Sequence, residues 1–477
     1  MGNQIDTIGA RLTPSTPIQV TYGAQALAVG RKFATIFAHL AASGATVAPY
    51  TVYPVINVGS ADAALAEVNA LAGAGSQAGA MAAAFVNANV LVGNANYPAF
   101  RIVFLANSDT SFGAGTLPAA FAAVQNMRSD LLVSCYPAED SVNLTKLQNF
   151  AIQISGVDSD LKGQFGSFAV FGSLAPRATQ LALNINNKAS VIHGMPDSNT
   201  ALVSENGVLT AGSNIITGIA STTGIYPGAA ISGTGVPAGA LVGVVTLNTV
   251  SMVDVNDNAL PAAASEASAS IGFQNSVSQP VEIVAAVGAA AMLANQFPYT
   301  PFQQIVAGGL IPPQIQSDLL SFDPAGDSEA FLQAGISPLC PTSNGTSMQF
   351  IRVRTTYTTQ SSVTVTSYFD WIDIVKLYDF KEVVYQISQQ PPFNNNPGGT
   401  LASAVIGARF KDEVIREAKV FEQQGAFQNV NQLSKLMVVS ISATGRLDCY
   451  IPEEIVPGLY VIAGNIQGIT ASGSTTV

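Results

Sequence analysis

The residues of this chain whose types could do chemistry begin with its two histidines, His39 and His193. Histidine is the side chain that most often acts as a general base near neutral pH. His39 lies in an alanine-rich apolar stretch, and His193 follows Val191 and Ile192. Because apolar neighbours are typical of a core position, the sequence favours a structural histidine over a catalytic base at both positions.

A glycine-rich turn at Gly73, Gly75 and Gly79 precedes an alanine-rich helical pattern and loosely resembles a phosphate-binding loop. The spacing is GxGxxxG rather than GxGxxG, and no Gly-Lys-Ser or Gly-Lys-Thr follows. The sequence therefore favours a glycine-rich helix entry over a nucleotide site.

A second turn, Gly326-Asp327-Ser328, resembles the nucleophile turn of a hydrolase. Asp327 or Ser328 ahead of Glu329 is also a good helix N-terminus. A hydrolase-like α/β enzyme would need a nucleophile and a base in contact, and neither histidine is near Ser328 in the sequence. The sequence therefore predicts no enzyme and no catalytic or cofactor-binding residues, with a hydrolase as the less favoured alternative.

Composition excludes further classes of protein. The three cysteines, Cys135, Cys340 and Cys449, are odd in number and far apart, which predicts neither a disulfide framework nor a metal site. Of the 477 residues 48% are apolar and 10% charged, and the net charge is −11, so we expect no nucleic-acid binding. The longest clean apolar run, residues 283–294, is shorter than the roughly 20 residues of a spanning helix, so we expect no membrane insertion.

The charge is unevenly distributed along the chain. No Lys or Arg occurs between Lys188 and Arg352, whereas residues 353–477 hold nine bases and eleven acids. The acids of the base-free window are Asp197, Glu205, Asp254, Asp257, Glu266, Glu282, Asp318, Asp323, Asp327 and Glu329. The acidity therefore belongs to one internal stretch.

Short apolar runs alternate with helical patterns of about ten residues in the first part of the chain. The predicted strands are 26–29, 100–105, 130–137, 168–171 and 190–193, and the predicted helices are 61–72, 79–92, 117–127, 144–154 and 178–187. Helical patterning returns at residues 281–296 and 328–335. This alternation is typical of a largely parallel sheet with helices on its faces, so we predict a discontinuous α/β domain of residues 23–196 and 279–345.

Residues 197–278 have a different texture, because helical periodicity disappears and β-branched runs are divided by Gly and Pro turns. Two of these turns are 226–228 and 236–239, in which Pro presets φ and Gly takes positive φ. We predict a small all-β module inserted into a loop, with a Gly/Ser linker as the alternative.

Residues 346–477 predict a second α+β domain. The segment 350–359 begins with strict alternation, which places Ile351 and Val353 on one face of a strand and Arg352 and Arg354 on the other. A helix follows, in which Trp371 is predicted to lie in the core and the acids at 370 and 373 on the opposite side.

The best helix prediction is residues 401–424, followed by strands at 436–441, 446–451 and 458–463. Its apolar stripe is Phe410, Val414, Ala418 and Phe421. Asp412 and Arg416 form an i,i+4 pair, and Gly425 ends the helix. Before residue 23, Pro14 and Pro17 prevent a helix and predict an extended arm over 1–22, with a frayed terminus as the alternative.

The order of these features resembles the contractile-tail sheath proteins of tailed bacteriophages. The most specific segments are residues 329–336 (EAFLQAGI) and 354–357 (RTTY), since the family reads roughly acid, Leu, Gly-Ile, then Arg-x-Thr-Thr-Tyr. Similar segments are 29–58, the turn at 73–76, the strand at 130–136, the helix at 285–295 with its following prolines, and the closing strands at 446–462. The resemblance excludes 197–278, and residues 391–393 (PPF) replace a basic residue that relatives often show.

The resemblance implies a structural virion protein of the contractile tail sheath. Such subunits polymerise as stacked hexameric rings around the tail tube and contract to drive it through the host envelope during genome delivery, and no nucleotide is consumed. The implied partners are further copies of this chain, the tail tube protein, and baseplate and tail terminator proteins, with assembly in the host cytoplasm. Another self-assembling phage shell or tube component is the alternative.

Subunits that reorient as rigid bodies need flexible tethers, and extended termini that add strands to a neighbour's sheet would supply them. The candidate interface residues are Ile5, Ile8, Leu12, Ile18, Val20, Tyr450, Ile451, Tyr460, Val461 and Ile462. The candidates that face the tube are the helix residues Lys411, Glu413, Arg416 and Lys419. The acidic inserted module would then face outward, away from the tube.

Overall fold

The structure is a computed structural model. It describes residues 33–55, 59–91, 100–155, 166–175, 177–195, 202–222, 225, 229–254, 258–274, 280–294, 305–310, 326–342, 347–360, 363–364, 370–390, 392–393, 403–441 and 447–456. The predicted arm over 1–22 and the predicted strands at 26–29 and 458–463 lie outside these ranges.

The helices and strands occur in three groups along the chain. The first group is β1 (Ala34–His39), β2 (Val52–Val55), α1 (Ala61–Ala72), α2 (Gln77–Leu91), β3 (Phe100–Leu105), α3 (Ala119–Ala122), β4 (Leu131–Val133), α4 (Ser141–Ile154), β5 (Phe168–Ser173), α5 (Arg177–Leu181) and β6 (Ser190–Gly194). The second is β7 (Leu202–Leu209), β8 (Ile215–Ile216), β9 (Ala230–Gly233), β10 (Leu241–Val245), β11 (Val250–Val253) and β12 (Glu266–Gln274). The third is α6 (Val281–Ala294), β13 (Ile305–Ala307), α7 (Gly326–Gln333), β14 (Ser337–Pro341), β15 (Met348–Phe350), β16 (Thr359–Gln360), β17 (Val363–Thr364), α8 (Trp371–Gln389), α9 (Ala404–Gln423), β18 (Phe427–Gln428), α10 (Val430–Leu433), β19 (Val438–Ile441), β20 (Leu447–Tyr450) and β21 (Glu454–Ile455).

Nine strands form one sheet in the order β13-β15-β14-β6-β5-β4-β1-β3-β2. The six strands from β14 to β3 are parallel, whereas β2, β13 and β15 pair antiparallel. Every residue of β5 and β6 is buried, as expected for strands covered by helices on both faces. The predicted α/β class is confirmed, and the sheet extends through β15, past the predicted domain boundary at 345.

Sequence patterns located most of these elements but not all of their bounds. The predicted helix 61–72 is found without change, while 117–127 shortens to α3 and 178–187 to α5. Asn184 and Asn186 adopt positive φ, which is incompatible with continuing α5. The patterns missed β1, because a strand buried on both faces shows no alternation.

Small and aromatic side chains fill the core of this sheet. Phe121 stacks on Phe150 with 4.5 Å between ring centroids, and Phe37 meets Phe121 edge to face at 5.5 Å. The alanine-rich α6 packs against α2 and lies across β5, where Gly172 has no room for a Cβ beside the backbone of α6. Small side chains on α6 therefore let helix and sheet approach closely.

The strands β7 to β12 form a separate antiparallel sheet in the order β7-β12-β9-β10-β11-β8. Val208 of β7 forms a bridge with Thr217, the residue after β8, so the sheet closes on itself as a small barrel. Its interior is a hydrophobic cluster distinct from that of the large sheet, with Ile216, Ile271 and Phe273 fully buried. A closed barrel offers no free strand edge for pairing.

The segment that precedes α8 differs from its sequence prediction. Beyond β15 the chain leaves the sheet, so the predicted alternation of residues 351–354 does not form a strand. Arg354 is 2% exposed rather than on an outer face. Asp370 and Asp373 are also buried instead of lying opposite the core, because each is paired with a base. Trp371 is fully buried, as predicted.

Helix α9 agrees with its prediction except in its ion pairs. Its predicted apolar stripe is buried, and Gly425 follows the helix with a φ of 74°. Arg416 contacts Glu413 at 2.6 Å and Glu417 at 2.9 Å rather than Asp412. The predicted i,i+4 pair is thus replaced by an i,i+3 pair with Glu413 and a contact with the adjacent Glu417.

Candidate assembly surface

The two histidines lie at the carboxyl ends of different strands of the large sheet. His39 ends β1, and its Nδ1 lies 2.8 Å from the carbonyl oxygen of Ala106. His193 lies in β6, three strand positions from β1, or about 14 Å at the usual spacing. His193 is fully buried, which lowers its pKa to about 3, and neither ring nitrogen has a hydrogen-bond partner among the described residues. The two rings therefore do not form one catalytic site.

The glycine-rich turn before α2 is occupied by its own helix. Ser76 Oγ accepts a hydrogen bond from the Gly79 amide at 3.0 Å and donates one to Asn69 Oδ1 at 2.8 Å. A Cβ at Gly79 would collide with Asn69, so this glycine serves helix packing. An open crevice of about 490 Å³ lies beside the turn, and Asp109 on its wall disfavours a phosphate.

The nucleophile-like turn also belongs to a helix. Helix α7 begins at Gly326, two residues before Ser328, whose side chain is buried. In the part of the chain that the structure describes, no group of three or more His, Cys, Asp or Glu residues could hold a metal ion. None of the described helices is both long and apolar enough to cross a membrane.

The two segments that carry the sequence resemblance contact each other. The Arg354 guanidinium donates to the carbonyl of Leu332 at the end of α7, and to that of Tyr357 at 3.0 Å. Gly335, with a φ of 83°, lies so close to the backbone of Thr356 that a Cβ would be 2.9 Å from its Cα and carbonyl oxygen. The glycine and the arginine therefore join α7 to the chain that leads to α8.

Helix α8 carries more buried charge than any sequence pattern indicated. Four of its ionisable side chains are at most 7% exposed, namely Asp373, Lys376, Asp379 and Glu382. Arg128 makes two hydrogen bonds to Glu382, of 2.9 and 3.1 Å, and also binds Asp130 beside β4. Lys376 contacts Asp373 at 2.9 Å and the carbonyl oxygen of Val456 at 2.7 Å. Glu382 lies 254 residues from Arg128, and Val456 lies 80 residues from Lys376, so local spacing could not have identified these two contacts.

A short strand pair holds the end of the described chain. Strand β21 pairs antiparallel with β18, and the Val456 amide donates to the carbonyl of Ala426. Glu453, just before β21, has a buried Oε2 without a hydrogen-bond partner among the described residues. Burial and the neighbouring Glu422 raise the pKa of Glu453 to about 7.

The β19–β20 hairpin presents an exposed apolar surface. Val438 and Tyr450 are direct cross-strand partners, and they are 58% and 65% exposed. Leu436, two residues before β19, and Val405, in the first turn of α9, are also exposed. Among the residues that the structure describes, this hairpin pairs with no third strand. Unpaired edges and exposed apolar residues are typical of a surface that accepts another chain.

An open groove of about 560 Å³ separates the hairpin from α9. Gly407 and Lys411 lie on its helical side, and Val439 and Ile441 lie on its strand side. The Lys411 ammonium donates to the Met437 carbonyl at 2.6 Å and so ties α9 to the hairpin. The groove and the hairpin together form the candidate assembly surface.

The structure describes two of the predicted interface residues and all four predicted tube-facing residues. Tyr450 is exposed on β20 and Ile451 beside it is half-buried. Of the candidates on α9, Lys411 is held internally, Arg416 pairs with Glu413, and Lys419 is exposed. The candidates Ile5, Ile8, Leu12, Ile18, Val20, Tyr460, Val461 and Ile462 lie outside the described residues.

Comparison with known proteins finds similarity among solved structures. No family model matches the sequence, and no curated protein does. The crystal structure of a sheath tail protein from Listeria innocua is similar at 9% identity and a TM-score of 0.49, over 90% of this chain and 93% of that one. The crystal structure of a sheath tail protein from Desulfitobacterium hafniense is similar at 10% identity and a TM-score of 0.49, over 94% of this chain and 97% of that one. A chain in the six-fold symmetrised cryo-EM structure of the anti-feeding prophage baseplate is similar at 12% identity and a TM-score of 0.50, over 96% of this chain and 100% of that one. This protein therefore shares its overall fold, over nearly its whole length, with a chain of that baseplate.

Proposed function

We propose that this protein is the subunit of a contractile tail sheath that polymerises as stacked hexameric rings around a tail tube. The observation that carries the proposal is the likeness of fold to a chain of the anti-feeding prophage baseplate over nearly the whole of both chains. The order of sheath-like sequence segments also supports it, and two of those segments contact each other, since Gly335 lies against Thr356 and Arg354 donates to the Leu332 carbonyl.

Contraction in this proposal releases free energy that assembly has stored. A machine without a nucleotide site must move between two packings of the same subunits. The glycine-rich turn before α2, closed by Ser76, is consistent with that requirement. The work done is to drive the tube through a host cell envelope, and the partners are the tube, baseplate and tail terminator proteins.

The candidate assembly surface supplies the contact between subunits. The hairpin of β19 and β20 offers strand edges and an exposed Val438–Tyr450 pair to a terminal segment from another copy. Such a contact is heterologous, and a heterologous contact that does not close on itself generates a helical tube. The exposed charges of α9, chiefly Lys419 and the Arg416–Glu413 pair, would face the tail tube.

Electron microscopy of the purified full-length protein tests this function. We expect helical tubes with a six-fold cross-section and a lumen wide enough for a tail tube. Closed shells, or monomers at every concentration and salt condition, would contradict the proposal.

Removal of residues 1–20 tests the tether. The shortened protein should fold, with the circular dichroism and unfolding midpoint of the full chain, and should fail to form tubes. Normal tubes from the shortened protein would refute the tether. The sheath proposal itself would still be tested by electron microscopy of the full-length protein.

A further inference from the structure

Helix α8 carries an arrangement that the proposed assembly surface does not explain. It is buried on several sides and yet holds Asp373, Lys376 and Glu382 in its interior contacts. Buried ion pairs are often no more stabilising than apolar residues of the same size. Stability alone therefore does not explain these charges. They hold two backbone groups of other elements in place, at Phe33 and at Val456.

One of these contacts fixes the first described residue of the chain. Glu382 binds Arg128, Arg128 binds Asp130, and Asp130 Oδ2 accepts the amide of Phe33 at 2.8 Å. The carbonyl of Phe33 in turn accepts the amide of Asp130 at 2.9 Å. Phe33, the residue before β1, is thus tied to α8 through three charged side chains.

The other contact fixes the last described residue. Lys376 donates to the carbonyl oxygen of Val456 at 2.7 Å while Asp373 holds its ammonium. Lys376 and Glu382 are six residues apart on one helix, which is about 9 Å along its axis and about a third of a turn around it. Phe33 and Val456 are therefore held by side chains on different faces of a single helix.

The body of α8 is packed firmly enough to transmit displacement. Trp371 and Tyr378 contact the ring of Phe168 on β5 edge to face, at 6.0 and 5.8 Å. Val383, the residue after Glu382, is fully buried. Closely packed interiors move as units rather than deforming continuously.

We propose that α8 is a mechanical link that couples Phe33, the residue before β1, to Val456, the residue after β21. The functional meaning of this link rests on the proposed function, in which both terminal segments engage neighbouring subunits. A displacement of one segment would then change the hold on the other within the same subunit, and so pass from one neighbour to the next.

Amide hydrogen exchange of the unassembled full-length chain tests the link without requiring tubes. In Lys376→Met, exchange should rise about tenfold at residues 454–456, since a charged hydrogen bond is lost, and it should also rise at residues 33–35. In Glu382→Gln, the same two regions should respond. Effects confined to 454–456 in the first variant and to 33–35 in the second would overturn the proposal.

The matched control is Lys411→Met, which also removes a lysine contact to a backbone carbonyl. It should raise exchange near Met437 and leave residues 33–35 unchanged. Lys376→Met leaves the Asp373 carboxylate unpaired, and that variant could fail to fold for this reason alone. The double variant Asp373→Asn with Lys376→Met removes the buried charge as well. In each variant, exchange at the amides of β5 reports whether the global fold is retained. Because every readout is on the monomer, a failed link and a failed sheath proposal are distinguishable.

Discussion

At the scale of single residues, the buried imidazole of His193 makes stability depend on acid. Its pKa is lowered to about 3 by burial, so the folded state prefers the neutral ring. The corresponding stability is present above pH 6.5 and is lost as the pH falls towards 3. By pH 5 we expect a loss on the order of 2 kcal/mol in the free energy of unfolding.

Urea unfolding at pH 7.5 and pH 5 measures this loss. The variant His193→Leu should lose much less stability than the wild type between pH 7.5 and pH 5. The control His39→Gln should lose as much as the wild type, because it still contains His193. An unchanged pH slope in His193→Leu would assign the acid sensitivity to other groups.

Glu453 should produce the opposite pH dependence. Burial and then Glu422 raise its pKa to about 7, so its contribution to stability is complete below about pH 4.5 and is lost as the pH rises through 7. Because the side chain is only partly buried, we expect about 1 kcal/mol after allowing for solvent screening. Glu453→Gln should remove this loss between pH 5 and 8.

Glu454→Gln is the matched control for that measurement. Glu454 is the next residue, and it is fully exposed with hydrogen bonds to Gln428 and Asn429. If both variants change the pH dependence equally, the buried carboxyl of Glu453 is not its source.

Residue types alone predicted the core role of His193 and Trp371 but not the ion pairs. Arg128 and Glu382 are separated by 254 residues, so their contact depends on the completed fold. The sequence placed Arg354 and Asp373 on outer faces because a charge in a periodic pattern usually marks solvent. Their burial requires partners that periodicity does not record.

At the scale of elements, two helical glycines should respond oppositely to alanine. A Cβ at Gly288 of α6 would collide with the His193 ring, whereas at Gly407 of α9 it would lie 3.4 Å from Val439. We expect Gly288→Ala to destabilise by about 1–3 kcal/mol through overpacking. Gly407→Ala should stabilise by about 0.5–1 kcal/mol, since glycine weakens a helix interior.

Thermal unfolding of both variants, followed by circular dichroism, makes this comparison. A stabilising Gly288→Ala would mean that α6 can move away from β6. A destabilising Gly407→Ala would show that the groove beside α9 has less room than its geometry indicates.

The hairpin of β19 and β20 should separate assembly from folding. Val438→Lys and Tyr450→Lys change exposed side chains, so the free energy of unfolding should change by less than about 0.5 kcal/mol. Each should strongly reduce tube formation in sedimentation assays, because a charge replaces an apolar contact. Val244→Lys, at an equally exposed valine of the barrel, should polymerise normally.

Elements with strong amphipathic patterns were predictable, whereas the fully buried β1 was missed. The pattern of α9 gave each of its ends to within three residues, since one face meets the core and the other meets solvent. Strand β1 has five fully buried residues in succession, including Thr35, and such a run cannot be distinguished from a buried helix by periodicity. Gly and Pro turns predicted an all-β texture for 197–278, whereas closure into a barrel depends on the Val208–Thr217 bridge.

At the scale of the whole molecule, the barrel and the large sheet are distinct cores joined through two connections. Strand β6 ends at Gly194 and α6 begins at Val281, and both belong to the large sheet's hydrophobic cluster. The base-free window includes the barrel and continues to Arg352, so charge alone does not define the inserted part. The outward placement of the barrel therefore remains a proposal that assembly must test.

Replacement of residues 197–278 by a short Gly/Ser linker provides that test. Because the barrel closes its own edges and fills its own interior, its removal should leave the unfolding free energy of the remaining chain within about 1 kcal/mol. If it faces outward, the variant should still form tubes, with the same lumen and a smaller outer diameter in electron micrographs. Loss of tubes from a folded variant would place the barrel between subunits, and a wider lumen would place it against the tail tube.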